Sequence, residues 1–177
     1  GIYVFLKYLK QFNNMTKLKK IFITGGAGYV GSRLVPFFLE KNYEVCVYDT
    51  MYFGSDHLGQ HKNLNIIDGD IRDTKKVETH CKDYDIFLHL ACISNDSSFE
   101  LNEELSKTIN YDCFEPMVIA AKNSGIKRFI YASSSSVYGV SDQKDVKEDH
   151  KLLPLTLYNK FKGMCEPQLL KHTDENF

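Results

Sequence analysis

The stretch "KKIFITGGAGYVG" (19–31) constrains this chain more than any other. A short β-rich run meets Gly25, Gly28 and Gly31 at G-x-x-G-x-x-G spacing. Apolar residues at helical spacing follow through "YVGSRLVPFFLEKN" (29–42). Glycine meets three needs at such a junction. The turn takes positive φ, the backbone must come close to a pyrophosphate, and the helix must pack tightly on the strand. The helix N-terminus then offers N–H groups and a positive dipole end to phosphates. Glycine spacing alone is weak evidence, and the strand–turn–helix context gives it weight. Gly25, Gly28, Tyr29, Val30 and Gly31 are therefore candidate contacts for a dinucleotide cofactor.

The rest of the chain continues the alternation. Strands are predicted over 43–49, 63–70, 84–91 and 127–133, and helices over 74–83, 102–125 and 158–171. Gly125 is a good residue to close the long helix. Strands alternating with helices argue for a parallel sheet with crossover helices, and nearly continuous apolar strands argue that both faces are covered. The fold class expected is α/β, a Rossmann-type doubly wound parallel sheet. Pro36 and Pro116 conflict with this reading, because each falls inside a predicted helix at a cost of about 3 kcal/mol. The polar stretch 141–151 reads as a surface loop or a lid.

Composition removes several function classes. The 177 residues suit one domain, and the net charge of −1 leaves no footprint for nucleic acid or an acidic membrane surface. No apolar run approaches the roughly 20 residues of a membrane span. The five cysteines are scattered without C-x-x-C spacing, so no metal site is expected, and reduced, packed thiols in the cytoplasm are. Residues 1–18 are expected to be a poorly ordered extension preceding a domain over 19–177.

Two further features point to chemistry. Asp49 ends the second strand, where a carboxylate can accept from adenosine ribose hydroxyls and repel a 2′-phosphate, so NAD is expected over NADP. Asp70 and Ile71, at the end of the third strand, are candidates to flank the adenine. Tyr158 and Lys162 stand at Y-x-x-x-K spacing, on one face of a helix. Moving a tyrosine from pKa 10 to about 7 requires roughly 4 kcal/mol. An ammonium some 4–5 Å away supplies about 3–4 kcal/mol at an effective dielectric near 20. The pair is thus suited to acid–base work beside a hydride acceptor.

Together, "TGGAGYVG" (24–31), Asp49, "GDIRD" (69–73), "HLA" (89–91), Asn110, "SSSSVYG" (133–139), "EDHKLLPLTLY" (148–158) and Lys162 resemble the extended short-chain dehydrogenase/reductase family of nucleotide-sugar epimerases and dehydratases. The resemblance implies NAD as cofactor and a nucleotide sugar as substrate. It implies Tyr158 as catalytic base or acid and Lys162 as the residue that lowers its pKa and holds the nicotinamide ribose. Ser134, four residues before Tyr138, would bond the sugar oxygen being oxidised. Leu90 and Ala91 would line the cofactor path, and Asn110 would brace the active-site backbone. A homodimer through 102–124 and 158–171 is also implied.

Two departures from the family pattern narrow this reading. Dehydratases carry an acid pair after the Ser/Thr, whereas Ser135 and Ser136 stand here and cannot act as carboxylates. This favours a 4-epimerase over a dehydratase, and Asp49 disfavours an NADPH-dependent C4 reductase. A non-catalytic dinucleotide sensor or scaffold is the alternative outside catalysis. The second departure is length. The chain ends at "LLKHTDENF", where the family's next strand would begin, so a cofactor-binding part with the substrate lobe missing is expected.

Overall fold

The computed structural model describes residues 19–142 and 144–177. The expectation for residues 1–18 lies outside them. Five strands form one parallel sheet: β1 (Lys20–Thr24), β2 (Glu44–Asp49), β3 (Leu64–Asp68), β4 (Ile86–His89) and β5 (Arg128–Tyr131), in the order β3-β2-β1-β4-β5. The helices are α1 (Gly31–Glu40), α2 (Thr74–Cys81), α3 (Asp96–Glu100), α4 (Glu103–Lys107), α5 (Phe114–Asn123) and α6 (Leu157–Leu170).

Strand alternation divides the core between the two faces. Phe22, Cys46, Tyr48 and Phe87 face a layer built by Val77, Phe114, Met117, Ala121 and Cys165 from α2, α5 and α6. Their neighbours Ile21, Ile23, Val45, Val47, Ile86 and Leu88 pack against Leu34, Val35 and Phe38 of α1. This two-sided burial explains why the central strands carry almost no polar residue.

The long helix expected over 102–125 is not continuous. A π-helical turn over Thr108–Asp112 separates α4 from α5, marked by the Cys113 N–H bonding the Thr108 carbonyl at 3.2 Å. This turn also resolves the Pro116 conflict, since Pro116 falls in the first turn of α5, where its N–H would have no intrahelical partner. Pro36 does lie inside α1, at the cost of one helix bond. The short α3 and the 3-10 turn Ser135–Tyr138 escape the pattern reading, because each is too short to show a period.

The sheet order places the site. The chain runs outward from β1 through β2 to β3, then crosses back to β4 on the other side of β1. Ligands in such sheets bind at that switch point, beyond the carboxyl ends of the strands. The register aligns Thr24 with Tyr48 and His89, and His89 with Tyr131, so these strand ends form one row.

Candidate active site

The glycine turn is fastened to that row. Gly25 has φ +71°, and its N–H bonds the Tyr48 carbonyl at 3.0 Å. A Cβ there would stand 2.5 Å from the Ala91 backbone nitrogen. A Cβ on Gly31 would fall 2.1 Å from the Gly26 carbonyl oxygen. Both glycines are therefore demanded by packing. Gly28 differs, since its Cβ would meet only the Gly25 oxygen at 3.2 Å, and the turn stays open on that side. Tyr29 and Val30 are exposed beside it, and Val30, in the N-cap position, offers no side-chain cap to α1. An open backbone turn against an uncapped helix start suits a pyrophosphate.

Asp49 holds this turn from β2. Its Oδ2 accepts from the Ala27 N–H and its Oδ1 from the Met51 N–H, each at 3.0 Å. Each oxygen keeps a second lone pair for a ribose hydroxyl. Asp70 is engaged within the chain. The Arg72 guanidinium grips its carboxylate and holds its pKa below the ordinary range. The Ile71 side chain is buried in the core layer with Val77. The end of β3 therefore presents an arginine–carboxylate pair above a buried isoleucine.

The catalytic candidates converge beyond β4 and β5. Tyr158 and Lys162 lie one turn apart on α6, which Thr156 caps by accepting from the Asn159 N–H. Lys162 is only 5% exposed. Its ammonium donates to the Ala132 carbonyl and sits 4.6 Å from the Tyr131 ring centroid. Burial lowers its pKa, while Cys92, Cys165 and Glu166 pull the other way. The Tyr158 phenol is pushed up rather than down. Burial is the main cause, Cys92 adds to it, and a bond from the Asn95 backbone opposes it. The expected depression by Lys162 is not found, because that ammonium is directed to Ala132.

Ser134 lies past the end of β5, half-buried, at the N-cap of the 3-10 turn. Its Oγ accepts from the Ser136 N–H at 3.2 Å and lies 2.6 Å from Ser136 Oγ. Ser136 Oγ in turn donates to Asn159 Oδ1. Ser133 instead bonds Glu166, on α6. Asn110, in the π turn, clamps Ile93, accepting its N–H at 2.8 Å and donating to its carbonyl at 2.9 Å. Leu90 and Ala91 follow β4, with the Leu90 N–H on the Thr24 carbonyl at 3.0 Å. The polar stretch after Gly139 is tied back: Ser141 Oγ lies 3.2 Å from His150 Nε2, and the Leu153 N–H bonds the Val137 carbonyl at 3.0 Å.

Several residues of the site escaped the sequence reading. Cys92, read only as packing, influences both Tyr158 and Lys162. Asn95 holds φ +78° while it caps α3, a costly conformation that brings its backbone to Tyr158. Asp96 accepts from Thr156, tying α3 to the start of α6. The one signal available in sequence is their closeness to "HLA" (89–91).

His89 is buried at the strand-end row, with Nδ1 2.7 Å from Thr24 Oγ1 and its ring stacked on Tyr131. Burial first, and then Lys162, lower its pKa from 6.5 to about 3. The fold thus binds neutral His89, so this contribution is complete above the unfolded value of about 6.5 and is lost as pH falls toward about 3. Thermal melts are expected to show a steeper acid loss of stability for the parent than for His89→Phe. Parallel curves down to about pH 4 would refute the assignment.

Comparison with known proteins places this geometry among relatives. The model of the NAD dependent epimerase/dehydratase family matches residues 21–176. A 3-beta-hydroxysteroid dehydrogenase of Mycolicibacterium neoaurum is 30% identical, across 90% of this chain and 45% of that protein. A UDP-glucose 4-epimerase of Rhizobium meliloti is 28% identical, across 84% and 45%. The solved UDP-N-acetylglucosamine 4-epimerase of Methanobrevibacter ruminantium M1 superposes with a TM-score of 0.81 at 31% identity, covering 90% of this chain and 52% of that one. The chain spans about half the length of the relatives it matches. Among the described residues, no helix is long and apolar enough to cross a membrane.

Proposed function

The chain belongs to the NAD-dependent epimerase/dehydratase family, and from that premise we propose that it carries the cofactor-binding and catalytic part of a nucleotide-sugar 4-epimerase. One observation carries the choice of reaction. The turn bearing Ser134 has hydroxyls at Ser135 and Ser136, and Ser136 is bonded to Asn159. Without carboxylates there, the turn has no means to eliminate water, and redox at a sugar carbinol remains.

When bound, NAD supplies a hydride acceptor. The glycine turn and the start of α1 hold its phosphates, and Asp49 takes the ribose hydroxyls. Tyr158 accepts the proton of the sugar hydroxyl as the carbinol is oxidised, and returns it when the ketone is reduced from its other side. Lys162, one turn on, donates to the Ala132 carbonyl and so ties the catalytic helix to the end of β5 beside that exchange. Ser134 bonds the reacting oxygen. The strand-end row, fixed by Thr24 and His89, keeps these groups in one place.

The test is product analysis on the full polypeptide carrying this chain. UDP-sugars and a 3β-hydroxysteroid are offered with NAD. C4-epimerised sugar is the expected product. Oxidised steroid as the only product, a dehydrated sugar, or cofactor binding without turnover would each overturn the reading. Cofactor choice is separable from this test. Fluorescence titration is expected to show NADH binding at least tenfold tighter than NADPH, because Asp49 repels a 2′-phosphate. The reverse order would remove Asp49 from its role.

A further inference from the structure

The hydrogen bonds around Ser134 fix the direction of its proton. A serine hydroxyl has one O–H to give. The O–H of Ser136 is committed to Asn159 Oδ1. In the 2.6 Å contact between the two serines, the donor is therefore Ser134. Ser134 Oγ also accepts from the Ser136 N–H. What it presents outward in this state is one lone pair, so its O–H reaches a substrate oxygen only by leaving Ser136. Asn159 is 7% exposed and lies on α6, directly after Tyr158, so its position is set by that helix. Ser134 is half-buried and Ser136 is exposed at the site.

We infer that Ser136 and Asn159 are positioning residues that hold the Ser134 proton in reserve. With alcohol bound, the Ser134 O–H donates to Ser136 Oγ and the sugar O–H is left to Tyr158. With ketone bound, the Ser134 O–H turns to the carbonyl oxygen, while Ser136 continues to donate to Asn159. No proton is gained or lost from the serines, and one O–H changes its acceptor. Ser136 thus competes with the ketone for that proton and prevents the oxidised intermediate from becoming a resting state. This inference rests on the proposed redox reading, in which Ser134 meets the reacting oxygen.

The test uses the full polypeptide, NAD and a UDP-sugar that it converts. Ser136→Ala removes the competing acceptor. Reduced nicotinamide standing on the enzyme during turnover, read by its absorbance band, is expected to rise several-fold. The kcat is expected to fall by about tenfold with KM little changed, the size of one lost hydrogen bond. Ser136→Thr keeps the hydroxyl and should restore both values. Asn159→Leu should reproduce the Ser136→Ala signature, and it covers the case in which one variant folds poorly. In a Ser134→Ala background, Ser136→Ala should change nothing further, because it acts through Ser134. A standing fraction of reduced cofactor that stays level or drops in both single variants overturns the inference, as does failure of threonine to rescue. Full activity in Ser134→Ala alone would instead overturn the underlying reading.

Discussion

Tyr158→Phe is expected to lower turnover by about 10²–10⁴-fold while leaving NAD binding within a few-fold of the parent. The substitution keeps the ring that packs 6.3 Å from Phe99, so the helix and its capping are undisturbed. What is removed is the hydroxyl alone, the only group on this residue that can take the carbinol proton. The direction of its titration adds a second reading. Burial holds the phenol above its ordinary value, so the base form is scarce at neutral pH. Parent activity should therefore climb toward alkaline pH, and the residual activity of the variant should not. Steady-state rates across that range, with NAD titrated separately, make the check. Parent-like turnover by the phenylalanine variant would end the assignment of Tyr158 as base.

The second large effect concerns folding. Gly31→Ala places a methyl group 2.1 Å from the Gly26 carbonyl oxygen, a backbone atom that cannot swing aside. Relief requires α1 to lift from the turn, and Leu34, Val35 and Phe38 anchor that helix to the sheet. A loss of about 3 kcal/mol or more is expected, or roughly 10 °C in melting temperature for a domain of this size. Gly28→Ala is the control. Its methyl group meets one oxygen at 3.2 Å, so stability should change little while NAD binding weakens, since the open side of the turn is then filled. Differential scanning calorimetry and cofactor titration separate the two outcomes. Equal melting temperatures for the two variants would show that α1 does not depend on this contact.

Much of the sheet was legible because β-period and helix-period runs alternate without overlap, and the glycine turn announces the first crossover. Strand ends were read too long at β3, β4 and β5. Past β4 and β5 the chain stays apolar or small through Leu90, Ala91, Ala132 and Ser133 although it has left the ladder. The long helix was misread for a related reason. Apolar spacing runs through Thr108–Asp112 unbroken, and a π turn changes the bonding pattern without changing composition. The relation of Tyr158 to Lys162 followed from their spacing, but the pKa direction did not. Burial and the Ala132 carbonyl are contributed by distant parts of the chain. His89, Cys92 and Asn95 are of the same kind, because their roles exist only once β1, β4 and α6 are brought together.

The π turn also bears on how such a site is kept through descent. It holds one residue more than a regular turn would, and the carbonyls it disturbs are met by thiols, Cys113 on Ile109 at 3.2 Å and Cys165 on Asn110 at 3.3 Å. Deleting a single residue there would join α4 to α5 and return Pro116 to a helix interior. It would also rotate everything on one side by about 100° and carry Asn110 away from Ile93. A lineage that keeps this turn keeps a local irregularity for the sake of its clamp. Insertions and deletions should accordingly be tolerated in the loop after Gly139 and purged from the five residues 108–112.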